Sequence, residues 1–202
     1  AQPVVRTRRT RTLRRESSDS TMPDVVQSST PVNSSVDRAD APGAGGLRGS
    51  RRVRAIVDLL NPALPVWDLC CDHGSIGRTA LEHYPNTRVV FVDRAAQTVR
   101  ALAELLGRSP GLDGRYRLVC ADVLRMELPV EPVNFVIAGV SSHVICRFLE
   151  GVTGRHGDRI VCNTFQDPER FEARVRTLGL GIHLSLDVST RRGVQRLWQL
   201  ET

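Results

Sequence analysis

The 202-residue sequence contains no lysine, and every basic side chain in it is an arginine. A GC-rich genome accounts for that absence more simply than selection for forked guanidinium–phosphate contacts. Aromatic residues make up only 4% of the chain, so a surface that grips single-stranded RNA by stacking bases on exposed rings is not expected. Trp67 and Trp198 lie in apolar, strand-like runs and are expected in the core. No apolar run approaches the ~18 residues that a membrane span needs, and no secretory signal is visible, so a soluble, cytoplasmic protein with no membrane contact is expected. Cys70, Cys71, Cys120, Cys146 and Cys162 form no C-x-x-C pair, which argues against a zinc or redox site and predicts buried, reduced thiols. His83, His143, His156 and His183 show no ligand spacing, so no metal is expected. A G-x-S-x-G nucleophile elbow is missing as well, which leaves Ser141, Ser142 and His143 without a hydrolase reading.

What is present begins with charge. The formal net charge is +6, and Arg6, Arg8, Arg9, Arg11, Arg14 and Arg15 account for all of it. The basicity therefore belongs to the N-terminal stretch. Residues 1–46 are rich in Arg, Ser, Thr, Pro and Gly, with almost no apolar periodicity. Such a segment buries too little surface to offset its ordering entropy, and it is expected to be a disordered tail. Three readings of it stay open: a misassigned start with Met22 as the initiator, a basic arm that touches nucleic acid, or an organelle-targeting peptide.

Residues 47–202 read as one domain. Val53, Ile56, Val57 and Leu60 recur at helical spacing within 51–60, and Asn61-Pro62 stops that helix. Strands are predicted at 66–71, 88–93, 116–121, 134–138 and 159–164. Helices are predicted at 76–84, 95–106, 142–150 and 168–178. Two last strands, 181–188 and 194–200, are separated only by Ser189–Gly193, too short for a helical crossover, so they are expected to pair as an antiparallel hairpin. Five strand-helix units closed by a hairpin describe a Rossmann-like, doubly wound α/β sheet of the class I methyltransferase kind better than a dehydrogenase.

The most informative stretch is Asp68-Leu69-Cys70-Cys71-Asp72-His73-Gly74-Ser75-Ile76-Gly77. An apolar strand that ends in an acid and small residues, then opens into a helix, is the first turn of a fold that binds an adenosine-containing ligand. Asp93 follows the second strand and Asp122 the third. Each acid alone reads equally well as a turn or cap residue. In order, at the C-terminal ends of successive strands, they point to S-adenosylmethionine. The turn takes the methionine part, Asp93 accepts from the ribose hydroxyls, and Asp122 faces the adenine amino group.

Asp68–Gly74, the segment Phe135-Val136-Ile137-Ala138-Gly139 and Arg159-Ile160-Val161-Cys162-Asn163-Thr164 resemble the bacterial tRNA (adenine-N1)-methyltransferase family, TrmK, over residues 47–188. The Asp72-His73 pair inside the first turn carries much of that likeness. Cys70 stands where the family has glycine, which predicts a negative φ there. Val140-Ser141-Ser142 replaces Met-Gly-Gly, and Asn163-Thr164 replaces Gln-Pro. The family's further helical, coiled-coil domain has no counterpart in these residues.

The resemblance implies methylation of an adenine N1 in tRNA, with tRNA or another RNA as partner. Asp68, Cys70, Gly74, Asp93 and Arg94 are the implied cofactor residues, with Asp122 and Val123 around the adenine and Ala138 and Gly139 near the transferred methyl. Asp72 is implied to orient the acceptor, with His73 assisting; the other readings are a helix-capping carboxylate for Asp72 and a structural hydrogen bond for His73. Arg147, Arg155, Arg191 and Arg192 are candidates for a phosphate-binding rim. Two rival functions remain: a methyltransferase acting on a small metabolite, and a catalytically inactive protein that binds S-adenosylmethionine and works as a partner.

Overall fold

The computed structural model describes residues 50–164 and 167–202. The expected tail at 1–46 lies outside them. The elements are α1 (Arg51–Asp58), β1 (Val66–Leu69), α2 (Ser75–His83), β2 (Val89–Asp93), α3 (Ala96–Gly107), β3 (Tyr116–Cys120), β4 (Asn134–Ala138), α4 (Ser142–Val152), β5 (Arg159–Asn163), α5 (Pro168–Thr177), β6 (Gly181–Thr190) and β7 (Gly193–Glu201). The strands form one seven-stranded sheet in the order β3-β2-β1-β4-β5-β7-β6. The first five are parallel, and β7 runs antiparallel between β5 and β6. This is the doubly wound methyltransferase sheet with its closing hairpin. No helix among the described residues is long and apolar enough to cross a membrane.

The two-residue period of each strand sorts its side chains between two helical layers. Val66, Val89, Phe91, Val136, Val161 and Leu197 face α1, α2 and α3. Trp67, Leu69, Phe135, Ile137, Ile160, Trp198 and Leu200 face α4 and α5. Both tryptophans are buried as expected, and Trp198 is fully enclosed, its indole N–H donating to Glu172 Oε1 at 3.0 Å. Buried Asn134 ties the loop after α1 to the sheet: its side chain accepts from the N–H of Asn61 and donates to the carbonyls of Asn61 and Leu64.

The passage from β3 to β4, residues 121–133, where the sequence predicts no helix, holds a tight turn after Asp122. The fold departs from the sequence expectations in two respects. The final hairpin is longer than expected, because Ser189 pairs with Val194 and Thr190 with Gly193. Gly193, with φ +101°, supplies the backbone reversal, and Thr190 Oγ1 bonds both the Gly193 carbonyl and the Arg192 N–H, so only Arg191 and Arg192 form the tip. The thiols are not uniformly buried. Cys71 and Cys162 are, whereas Cys120 is exposed because β3 is an edge strand, and Cys70 and Cys146 are half-buried.

Gly77 shows how tightly α2 seats on the sheet. A Cβ there would lie 2.3 Å from Phe91 Cε1 and 2.8 Å from Val89 Cγ1. Alanine gains about 1 kcal/mol over glycine in a helix, but overpacking a filled core costs about 1–3 kcal/mol, and a contact this short belongs at the upper end. Gly77→Ala is therefore expected to destabilise the domain by about 1–2 kcal/mol, lowering Tm by roughly 2–8 °C. An unchanged or raised melting temperature in calorimetry would show that Phe91 yields freely.

Candidate active site

The strand order reverses between β1 and β4, and a cleft of about 690 Å³ opens there, outside the C-terminal ends of the parallel strands. Asp68, Cys70, Asp72, His73, Asp93, Arg94, Asp122, Val123, Ala138 and Gly139 all line it. Of the expected site residues only Gly74 does not, and it shapes the turn from beneath. Its φ is +64°, and a Cβ would meet Leu102 at 2.8 Å and Phe91 at 3.1 Å.

Chain direction changes abruptly after Leu69. Cys70 has φ +54° and Asp72 φ +48°, so the expectation of a negative φ at Cys70 is corrected. Two left-handed residues, with Gly74 as a third, fold 70–74 into a compact loop, and β1 consequently ends at Leu69 rather than at Cys71. The loop is held from below and from the side. The Gly74 N–H donates to the Cys71 carbonyl at 2.7 Å, and the Asp72 N–H donates to Asp93 Oδ2 at 3.1 Å. Asp93 also receives the Ala95 N–H on Oδ1 at 2.9 Å. A carboxylate has about four acceptor positions, so two of those on Asp93 stay available to a ligand.

Asp68 is 2% exposed and accepts the Gly77 N–H at 2.8 Å, replacing a side-chain cap at the start of α2. Burial pushes its carboxyl up to about 7, against the lowering effect of the Gly77 bond, and the nearby charge of Asp93 adds to the rise. Cys70 is likewise raised, to about 11, by burial and then by Asp93. Burial also drives the Cys71 thiol upward, which disfavours the thiolate at both positions of the turn.

Asp72 and His73 project from the loop into solvent at the mouth of the cleft, with 72% and 87% of their side-chain surface exposed. His73 Nε2 lies 3.7 Å from Asp72 Oδ2. Gly74, not Asp72, occupies the N-cap of α2. Across the cleft, Asp122 Oδ1 accepts the Leu124 N–H at 3.0 Å, leaving Oδ2 3.9 Å from the Arg125 guanidinium. Gly139, at φ +82°, turns the chain after β4, and its N–H donates to the Asn163 carbonyl at 3.3 Å. Ser141 then caps α4 through its hydroxyl, which accepts from Val144 N–H.

Sequence reasoning missed one wall altogether. Arg52 of α1 reaches over the sheet and donates to Asn163 Oδ1 at 3.1 Å, while Asn163 Nδ2 donates to the Arg196 carbonyl. Burial and the like charge of Arg192 weaken the hold of Arg52 on its proton. Arg52 carries no local motif; it meets Asn163 only because the fold seats α1 against α2 and β6, beside the end of β5. The rim candidates divide. Arg192 lines the cleft, and Arg191 stands beside it at the hairpin tip. Arg155 is instead a structural staple, paired with buried Asp158 and donating to the Pro129 and Glu131 carbonyls. Arg147 faces Glu150 at 3.6 Å on α4, away from the cleft.

A family model described as a methyltransferase domain matches residues 49–182. No curated protein sequence matches the chain. Among solved structures, the m1A22 tRNA methyltransferase TrmK of Bacillus subtilis superposes with a TM-score of 0.68 at 14% identity, over 78% of this chain and 68% of that one. TrmK of M. capricolum in complex with S-adenosyl-homocysteine gives 0.66 at 11% identity, over 76% and 68%. Magnesium protoporphyrin IX methyltransferase of Synechocystis PCC 6803, with bound SAM, gives 0.60 at 14% identity, over 74% and 77%. At these identities the likeness establishes the fold.

Proposed function

The chain belongs to the methyltransferase domain family, and from that premise we propose that it methylates N1 of an adenine in tRNA with S-adenosylmethionine as donor. One observation carries the reading: acids at the ends of β1, β2 and β3 open on a single cleft. Its volume lies within the range of small-molecule and cofactor sites, and its chemistry fits the donor. Carboxylates at Asp68 and Asp93 complement a ligand with two positive centres and a pair of ribose hydroxyls. Cys70, Gly74 and Arg94 shape the turn around that ligand, Asp122 and Val123 flank its adenine, and Ala138 and Gly139 floor the transfer site.

When bound, S-adenosylmethionine supplies an activated methyl group that the N1 lone pair takes directly. Adenine N1 carries no proton, so the protein has none to remove, and its contribution is placement and electrostatics. Asp72 accepts a hydrogen bond from the exocyclic amino group and stabilises the positive charge that develops on the ring. His73, beside it, closes the mouth of the cleft. The arginines at the rim favour RNA over a small metabolite as acceptor, and a cytoplasmic location accompanies this substrate. The test is incubation of the full chain with unmodified tRNA transcripts and the methyl donor, followed by nucleoside analysis. 1-Methyladenosine is the expected product; its absence from a chain that binds the donor would overturn the reading.

Asp68 gives the site a pH signature. The folded carboxyl keeps its proton up to about 7, whereas the unfolded chain ionises near ~4. Between those values the unfolded state binds fewer protons, so this group makes stability fall as pH rises through the window, with no further change above it. Asp68→Asn keeps an acceptor for Gly77 and is expected to remove that slope, seen as denaturation midpoints that converge with wild type near pH ~4 and exceed it near pH ~8. The positive donor favours ionised Asp68, so binding below pH 7 should release protons, read from calorimetry in buffers of different ionisation enthalpy. Proton-neutral binding would place the donor away from Asp68.

A further inference from the structure

Arg52 and Arg192 line the cleft on one side and a second cavity, of about 870 Å³, on the other. This second cavity lies between the start of α1 and the hairpin tip, where Arg51, Arg191 and Gln195 line it together with Ser50, Ser189 and Thr190. Among the described residues, no carboxylate lines it. Several arginines elsewhere in the domain are neutralised, Arg196 by Asp187, Arg174 by Glu150 and Arg155 by Asp158, and unpaired ones such as Arg78 and Arg100 are not gathered around this hollow. Here, among the described residues, Arg52 bonds only the neutral Asn163 amide, and no ion pair forms at Arg51, Arg191 or Arg192. Four like charges around a hollow repel one another unless an anion joins them.

Gln195 is an independent observation. Its side chain, on β7, is 8% exposed, and its Oε1 is buried without a hydrogen-bond partner. An unmet acceptor costs about 1–3 kcal/mol. Gln195 also lines the cavity, so a turn of its amide toward the hollow would let this acceptor meet a hydroxyl or amino hydrogen of a ligand that brings negative charge as well.

We propose that this cavity is a ribose-phosphate subsite for the RNA substrate, in which the guanidinium groups hold a phosphate and Gln195 Oε1 accepts a hydrogen bond from a ribose 2′-hydroxyl. Deoxyribose has no such donor, so the subsite selects RNA over DNA. The shared walls Arg52 and Arg192 make it continuous with the transfer cleft, and a nucleotide held there presents its neighbour to that cleft. The inference rests on the reading of RNA as the acceptor.

The test is fluorescence anisotropy of the full chain with a labelled tRNA-derived stem-loop and an all-DNA oligonucleotide of the same sequence, across a salt series. RNA is expected to bind about tenfold tighter than DNA or better. Arg191→Ala/Arg192→Ala is expected to weaken RNA binding about tenfold or more and to lower the slope of log affinity against log salt by about one to two. Gln195→Leu, similar in volume and free of the unmet acceptor, is expected to melt no lower than wild type. It should weaken RNA binding about fivefold while leaving DNA binding unchanged. Wild-type RNA affinity in either variant, or equal losses for RNA and DNA in Gln195→Leu, overturns the proposal. Methylation of tRNA together with unchanged RNA affinity in both variants overturns the subsite alone. RNA-selective binding that the variants lose, in a chain that methylates no tRNA, supports the subsite while overturning the tRNA reading.

Discussion

Asp93→Ala is expected to remove measurable S-adenosylmethionine binding. Two charge-assisted hydrogen bonds to vicinal ribose hydroxyls contribute about 1.5–3 kcal/mol each, so their loss corresponds to roughly a hundredfold to ten-thousandfold in Kd. The same carboxylate also receives the N–H groups of Asp72 and Ala95, so the substitution loosens the 70–74 loop as well. Asp93→Asn separates the two effects, because an amide keeps one acceptor and loses the charge. Calorimetry of both variants, at a temperature where circular dichroism shows them folded, should place the asparagine form between wild type and alanine. Wild-type affinity in the alanine variant would show that the acid after β2 serves only the turn.

Asp72→Asn should behave in the opposite way, with cofactor affinity retained and turnover lost. Asparagine tolerates the left-handed backbone that Asp72 adopts at φ +48°, and the backbone N–H to Asp93 remains. What disappears is the negative charge that, on the proposed reading, faces the acceptor ring. Removing one preorganised group that acts on charge developed in the transition state costs about 10²–10³ in kcat, so a loss of about a hundredfold is expected with Kd for the donor within about twofold. A variant with full kcat would reduce Asp72 to a loop residue. Asp72→Ala is the poorer probe, since alanine in this conformation adds about 1 kcal/mol of backbone strain.

The sheet was legible because each strand announces itself as a short apolar run between turn residues, and β4 at Asn134–Ala138 falls where the pattern places it. So was the line of acids, since Asp68 and Asp93 lie at the ends of their strands and Asp122 just beyond its own. Conformation within the turn was not legible. Cys70 takes a left-handed φ because the loop is fixed from outside itself, by Asp93 and by the packing of Gly74 on Leu102 and Phe91. The Arg52–Asn163 bond joins residues far apart in the chain, and nothing local to either position encodes it. Arg155 was misread for the same reason: an arginine that staples carbonyls looks, in sequence, like one that waits for phosphate.

The position of β7 has a consequence for how the protein is born. This strand, the last of the seven in chain order, lies inside the sheet, hydrogen-bonded to β5 on one side and β6 on the other, and it carries the enclosed Trp198. As the chain leaves the ribosome from its N-terminal end, β5 has no partner on that side and α5 no indole to pack on until residue 201 has emerged. Domains usually fold as units during synthesis, and here the unit closes late. The nascent chain therefore carries an open apolar edge from the emergence of β5 until β7 has followed it.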